Sequence, residues 1–163
     1  MSTVLSLKKK LENSGKLAIL GVGSEHAGDD IAGILAIQEI DRVRKSFRIP
    51  VKTFKGFTAP ENVTGEIRKF KPSHILIIDA ADFGKKPGSV EILTLDGIDG
   101  VSFSTHRLPI KILADYCIKT MGCEVTVLGI QPKSLTVDTP ACPAVVKASK
   151  KISGMLGKIF RKE

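Results

Sequence analysis

Tryptophan is absent from the 163-residue sequence, and aromatic residues make up only 5% of it. Any core must therefore be aliphatic, built from Ile, Leu and Val; at 42% hydrophobic residues it can still be a sizeable one. Long apolar runs are also lacking. None approaches the roughly 20 residues that a membrane-spanning helix needs, so no membrane insertion is expected. An export signal is not expected either, because a short apolar stretch precedes Lys8-Lys9-Lys10, the reverse of the usual basic-then-apolar order. Cysteine is sparse: Cys117, Cys123 and Cys142 form no C-x-x-C pair and cannot all pair within one chain. That favours a reducing, cytoplasmic setting with buried thiols. No G-x-S-x-G or P-loop string occurs, and no cysteine sits in a candidate loop with an obvious histidine partner.

The charge of +8 belongs to the ends of the chain. Residues 1–16 carry +3, residues 144–163 carry +5, and the body between them sums to zero. A nucleic-acid groove concentrates charge on its working face and interleaves aromatics, so no nucleic-acid partner is expected. The basic ends read as solvated helices, or as a face for an acidic partner.

No repeat, low-complexity tract or linker interrupts the chain, and a single domain over residues 1–163 is expected. A short helix is predicted over 4–13, ending near Gly15. Residues 17–22 (LAILGV) and 74–80 (HILIIDA) are apolar runs that read as buried strands. The positions Ile31, Ile34, Leu35, Ile37 and Ile40 predict a helix over 30–46 with one buried face. A strand VKTF follows Pro50, then a short helix over 62–70. Residues 89–95 alternate and read as an antiparallel strand. A helix enters through Pro109 and runs to about Met121; a strand over 124–130 and a helix over 141–160 complete the pattern. Strands alternating with helices predict a three-layer α/β fold with a mixed, mostly parallel sheet. Ligands in such sheets bind beyond the carboxyl ends of the strands, which selects loops 23–30, 56–62, 79–88, 102–108 and 131–138.

Within those loops three residues stand out. The first loop ends in Asp29-Asp30 at a helix start. Its glycines are spaced G-x-G-x-x-x-x-G, not as in a dinucleotide fingerprint, and two carboxylates there would repel a pyrophosphate. Asp29 is expected to cap the helix, leaving Asp30 over. Asp79 ends a strand after four apolar residues, where a core side chain is not expected. Asp82 reads as a turn-forming aspartate. His106 precedes the helix entered through Pro109. Two carboxylates and an imidazole suit a divalent transition metal with open positions. His26 is a weaker candidate beside the site, and His74 begins a strand at the opposite edge.

The string GVGSEHAGDDIAG resembles the GxGNxxxxDDGxG opening of the hydrogenase maturation endopeptidases. GFTAPEN at 56–62 resembles the glycine-rich loop of the subgroup that matures the large subunit of hydrogenase 3, and LIIDAADFGKKPG, STHRLP and LGIQP follow in order. The resemblance spans roughly residues 17–137. It implies a five-stranded mixed sheet of the phosphorylase/hydrolase-like kind. It also implies an aspartic-type protease that removes the C-terminal extension of a [NiFe] hydrogenase large-subunit precursor after nickel insertion. On this resemblance Asp30, Asp79 and His106 contact nickel supplied by the precursor, with Asp30 and Asp79 catalytic, and Gly56, Thr58 and His106 bind substrate. Three departures stand in the match: Ser24 for Asn, Ile31 for Gly, and Lys55-Gly56-Phe57 for Asp-Gly-Gly. A nickel-binding chaperone without proteolysis and a nucleotide-binding module are the alternatives.

Overall fold

In the computed structural model, residues 2–96 and 109–163 are described, together with the backbone of 102–103. The predicted apolar runs form the middle of a sheet. Strands β1 (Leu17–Val22), β2 (Val51–Phe57), β3 (His74–Asp82), β4 (Val90–Leu93) and β6 (Glu124–Ile130) lie in the order β2-β1-β3-β6-β4. Strands β2, β1, β3 and β6 run parallel; β4 is antiparallel to β6, as the alternation of residues 89–95 implied. A two-residue strand, β5 (Ser102–Phe103), pairs antiparallel with Ala81 and Asp82. The sequence reading placed only a loop there, since two residues are too short to show a period.

Strand alternation divides the core into two. Leu17, Ile19, Leu76, Ile78, Leu128 and Ile130 face α2 (Ala32–Asp41) and α5 (Pro143–Phe160), where Ile37, Ile40, Ile152, Leu156 and Phe160 meet them. Ala18, Leu20, Ile75, Ile77 and Val127 face α3 (Thr64–Phe70) and α4 (Ile110–Met121), against Ile67, Leu113 and Cys117. Each fully buried Leu or Ile is worth about 1.5–3 kcal/mol in transfer terms, so the aliphatic core suffices without tryptophan. Cys117 and Cys123 are buried free thiols, and burial pushes Cys117 up to about 11. Among the described residues no helix is long and apolar enough to cross a membrane.

The helix predicted over 30–46 is divided into a 3-10 turn at Gly28–Ile31, α2 proper, and a second 3-10 turn at Arg44–Ser46. Two glycines press α2 onto the sheet. A Cβ on Gly33 would lie 2.3 Å from the Ile78 carbonyl oxygen and 2.4 Å from that of Val22; one on Gly21 would lie 2.6 Å from the Gly33 oxygen. The helix backbone thus rests on β1 and β3 with no side chain between them, beside the residue that precedes Asp79. The first helix, α1 (Thr3–Leu11), joins α2 and α5 on the same face, over the β4 end of the sheet. Leu7 and Leu11 are buried there, and the Thr3 hydroxyl donates to the Val90 carbonyl at 3.0 Å.

Gly33→Ala should destabilise the fold by about 1–3 kcal/mol or more, because backbone atoms have no room to yield. Gly154→Ala is the control: it is an exposed helical position with nothing within 4 Å of the added carbon, and it should stabilise by about 0.5–1 kcal/mol. Urea denaturation of both variants measures the difference.

Candidate active site

The predicted carboxyl edge does gather the singled-out aspartates. Asp30 lies in the 3-10 turn after β1, and Asp79 near the end of β3, beside β1 in the sheet. Both side chains are 0% exposed. The Asp30 Oδ2 accepts from the Ser24 backbone N–H at 3.1 Å, and the Ser24 hydroxyl accepts from the His26 N–H at 3.2 Å. Ser24, which stands where the related motif has Asn, thus shapes the loop over Asp30 through its own side chain. Gly23 is obligatory in that loop. Its φ is 147°, and a Cβ there would lie 1.9 Å from the Asp30 carbonyl oxygen.

Asp79 follows the row of Ile75 and Ile77. Burial drives its carboxyl well above the ordinary 3.8, and the charge of Asp30 pushes the same way; the Ala80 backbone N–H pulls weakly against both. Two carboxyl groups therefore interact electrostatically where water is excluded. Such an arrangement weakens the fold and suits proton transfer or the capture of a cation.

Asp29 is not the helix cap that its position implied. The turn has Ala27 at its cap and no side-chain capping bond. Instead the Asp29 carboxylate reaches another part of the chain. Oδ2 accepts from the backbone N–H of Lys133 at 2.6 Å and of Ser134 at 3.1 Å, and Oδ1 accepts from that of Cys142 at 2.6 Å. Burial by itself would raise this carboxyl, but the N–H groups of Cys142, Lys133 and Ser134 outweigh it and hold the group below 3.8. No local pattern could have shown this, because the partners lie more than a hundred residues away.

Gln131 carries no signal in the sequence beyond its place in the string LGIQP. Its Oε1 accepts from the N–H groups of Phe83 at 2.9 Å and Lys85 at 3.2 Å, and its Nε2 donates to Asp82 Oδ1 at 3.1 Å. It thereby ties the segment after β3 to the end of β6. Asp82 forms the expected turn, accepting from Gly84 N–H at 3.1 Å.

Gly56 sits at an irregularity in the β1–β2 register, where Gly21 pairs with Lys55 and Val22 with Phe57. A Cβ on Gly56 would meet Pro60 at 2.8 Å and Leu20 at 3.0 Å, so the turn's own packing requires this glycine. The exposed rim beside it is Phe57, with φ 51°, and Thr58. His106 lies outside the described residues. The side chain of His26 is exposed, and its carbonyl accepts from the Asp138 N–H at 2.8 Å. His74 is buried at the amino edge with Nε2 2.7 Å from the Thr126 hydroxyl, away from the site as expected. Among the described residues no group of three His, Cys, Asp or Glu side chains is arranged to hold a metal ion.

Comparison with known proteins gives one answer. The family described as hydrogenase maturation protease (HycI) matches residues 34–160. A Methanocaldococcus jannaschii chain described under the same family term is 39% identical over 154 residues, covering 91% of this chain and 87% of that one. The hydrogenase 3 maturation protease of Escherichia coli K12 is 36% identical over 115 residues, 70% of this chain and 71% of that one. The crystal structure of a [NiFe] hydrogenase maturation protease HycI from Thermococcus kodakarensis superposes with a TM-score of 0.82 at 26% identity, covering 94% of this chain and 97% of that one.

The raised Asp79 carboxyl has a consequence for stability. The folded chain keeps a proton there that the unfolded chain releases above about 3.8, so the contribution of this group to stability falls as pH rises from that value. Asp79→Asn should raise the Tm by several degrees at pH 8 and by less at pH 5. Thermal unfolding followed by circular dichroism across that range measures it.

Proposed function

Because the chain belongs to the hydrogenase maturation protease family, we propose that it is the endopeptidase that removes the C-terminal extension from a [NiFe] hydrogenase large-subunit precursor once nickel is in place. The supporting observation is the buried pairing of Asp30 with Asp79 at the carboxyl edge of the sheet. A divalent cation between the two carboxyl groups would take the place of the proton that Asp79 otherwise keeps and offset their repulsion. Their oxygen donors suit a borderline metal that also takes imidazole. In this reading nickel is part of the substrate. It arrives already held by the precursor and is bound on this side by Asp30, Asp79 and His106. That shared ion would make the site selective for loaded precursor, since a precursor without nickel lacks the bridge.

The chemistry required is hydrolysis of one peptide bond. Water must be activated, its oxygen must attack the scissile carbonyl, and a proton must reach the departing amine. Asp30 and Asp79 are the groups assigned to that proton traffic. Gly56 and Thr58 are assigned to the substrate backbone. The exposed stretch at Phe57 and Thr58 lies at the end of β2, beside the loop that carries Asp30, through the Gly23 N–H to Phe57 carbonyl bond of 2.8 Å. Phe57 narrows this stretch relative to a pair of glycines and is assigned to selecting the precursor.

Mass spectrometry of nickel-loaded precursor incubated with the protein should show loss of the C-terminal extension. Asp30→Asn and His106→Ala should each abolish it. A precursor that binds but keeps its extension would make the protein a nickel-dependent chaperone instead, and full activity in either variant would remove that residue from the site.

A further inference from the structure

The segment over residues 133–140 has no buried side chain of its own. Loops normally hold their shape by burying something, and this one is held by hydrogen bonds to the first loop. The Asp29 carboxylate takes the N–H groups of Lys133, Ser134 and Cys142; Asp29 N–H donates to the Ser134 carbonyl at 2.9 Å; Asp138 N–H donates to the His26 carbonyl at 2.8 Å. The fit is close, since a Cβ on Gly28 would lie 2.5 Å from the Ser134 carbonyl oxygen. Bonds to a charged, 1% exposed carboxylate are about twice as strong as neutral ones, so Asp29 is the principal fastening. What it fastens is a loop presenting Leu135 at 36% exposure and Val137 at 66%, next in space to the turn that carries Asp30.

We propose that Asp29 is a positioning residue: it holds the 133–140 loop beside Asp30 so that Leu135 and Val137 form part of the surface receiving the precursor's C-terminal segment. The proposal rests on the proteolytic reading above. The occupant is an extended peptide segment with apolar side chains. The loop is continuous with the turn bearing Asp30 through the Asp29 bonds, and Val137 on it is 66% exposed, which places an apolar side chain beside that turn and open to such a segment. Asp29 itself touches no substrate in this scheme.

Steady-state cleavage of nickel-loaded precursor separates this role from a general loss of structure. Asp29→Asn keeps one acceptor oxygen but puts an amide donor against N–H donors. It should raise KM about tenfold and change kcat less than about threefold. Cys142→Pro leaves Asp29 intact and deletes one donor; residue 142 has φ −70°, which proline adopts without strain. It should raise KM in the same direction by about threefold, while Cys142→Ala, which keeps the N–H and loses only the thiol's bond to Asp29, should raise it less. Leu135→Ser with Val137→Ser, both at exposed positions, should also raise KM alone.

Unchanged KM in Asp29→Asn and Cys142→Pro, or a fall in kcat at constant KM, would overturn the proposal. If Asp29→Asn does not fold, the proline variant and the loop double variant decide it by the same criterion. Wild-type protein that leaves the precursor intact defeats the proteolytic reading and this proposal together. Wild-type protein that cuts while these variants behave like it defeats this proposal alone.

Discussion

At one point in this fold two backbones touch with nothing between them. Gly33 lies against the carbonyl oxygens of Val22 and Ile78, and Gly21 lies against Gly33. Those contacts decide how far down α2 sits on the sheet. The depth of α2 sets the 3-10 turn before it, and the turn carries Asp30. Ile78 immediately precedes Asp79. A methyl group at position 33 would push α2 away from the two strands and separate the pair. The two acids meet because neighbouring positions lack side chains, so the geometry of the site is written in glycines as much as in aspartates.

Burying two carboxyl groups side by side is costly even when Asp79 keeps its proton, and the cost of ionising both rises as the surroundings become less polar. The rest of the molecule compensates with an unbroken aliphatic interior on both sheet faces. Strands β1 and β3 bury nearly every residue they have. Apart from the left-handed helix caps Lys71 and Gly122 at the amino edge, the positive-φ residues among those described stand around the carboxyl edge: Gly23 at φ 147°, Gly28 at 56°, Phe57 at 51°, Gly84 at 75°, Gly88 at 85° and Asp138 at 60°. A regular, well-packed body supports a rim of unusual conformations, the division expected when function and stability make opposing demands.

That division also explains what could be read from the residues. Strand runs such as HILIIDA were legible because their composition is extreme, and Asp79 stood out as an acid ending an apolar run. The antiparallel direction of β4 was legible from alternation. The site at the carboxyl edge followed from the layer architecture, and the ordered motifs narrowed its chemistry to one family. The illegible features are those that depend on distant partners or very short pairing. Asp29 looked like a local cap because nothing near it in sequence hints at Lys133 or Cys142. Gln131 looked like part of a string, and its bonds to Phe83, Lys85 and Asp82 appear only once β3 and β6 are neighbours. Strand β5 has two residues and no period. The packing of Gly56 against Pro60 and Leu20 was equally illegible, because it depends on how the turn after β2 folds back on β1.

The helix at the start of the chain bears on a different matter. Strand β4 is the last in the sheet, and among the described residues one side of it has no neighbouring strand. A row of free backbone donors and acceptors on such a strand is a template for another molecule's strand. Here α1 lies along it, and the Thr3 hydroxyl occupies the Val90 carbonyl. Those first residues carry no part of the proposed chemistry, yet they act as a guard rail against intermolecular pairing. Their lysines, Lys8 to Lys10, add mutual repulsion between copies. The amino-terminal turns of this protein thus cover part of an exposed strand, a task quite separate from that of the glycines that seat α2 on the sheet.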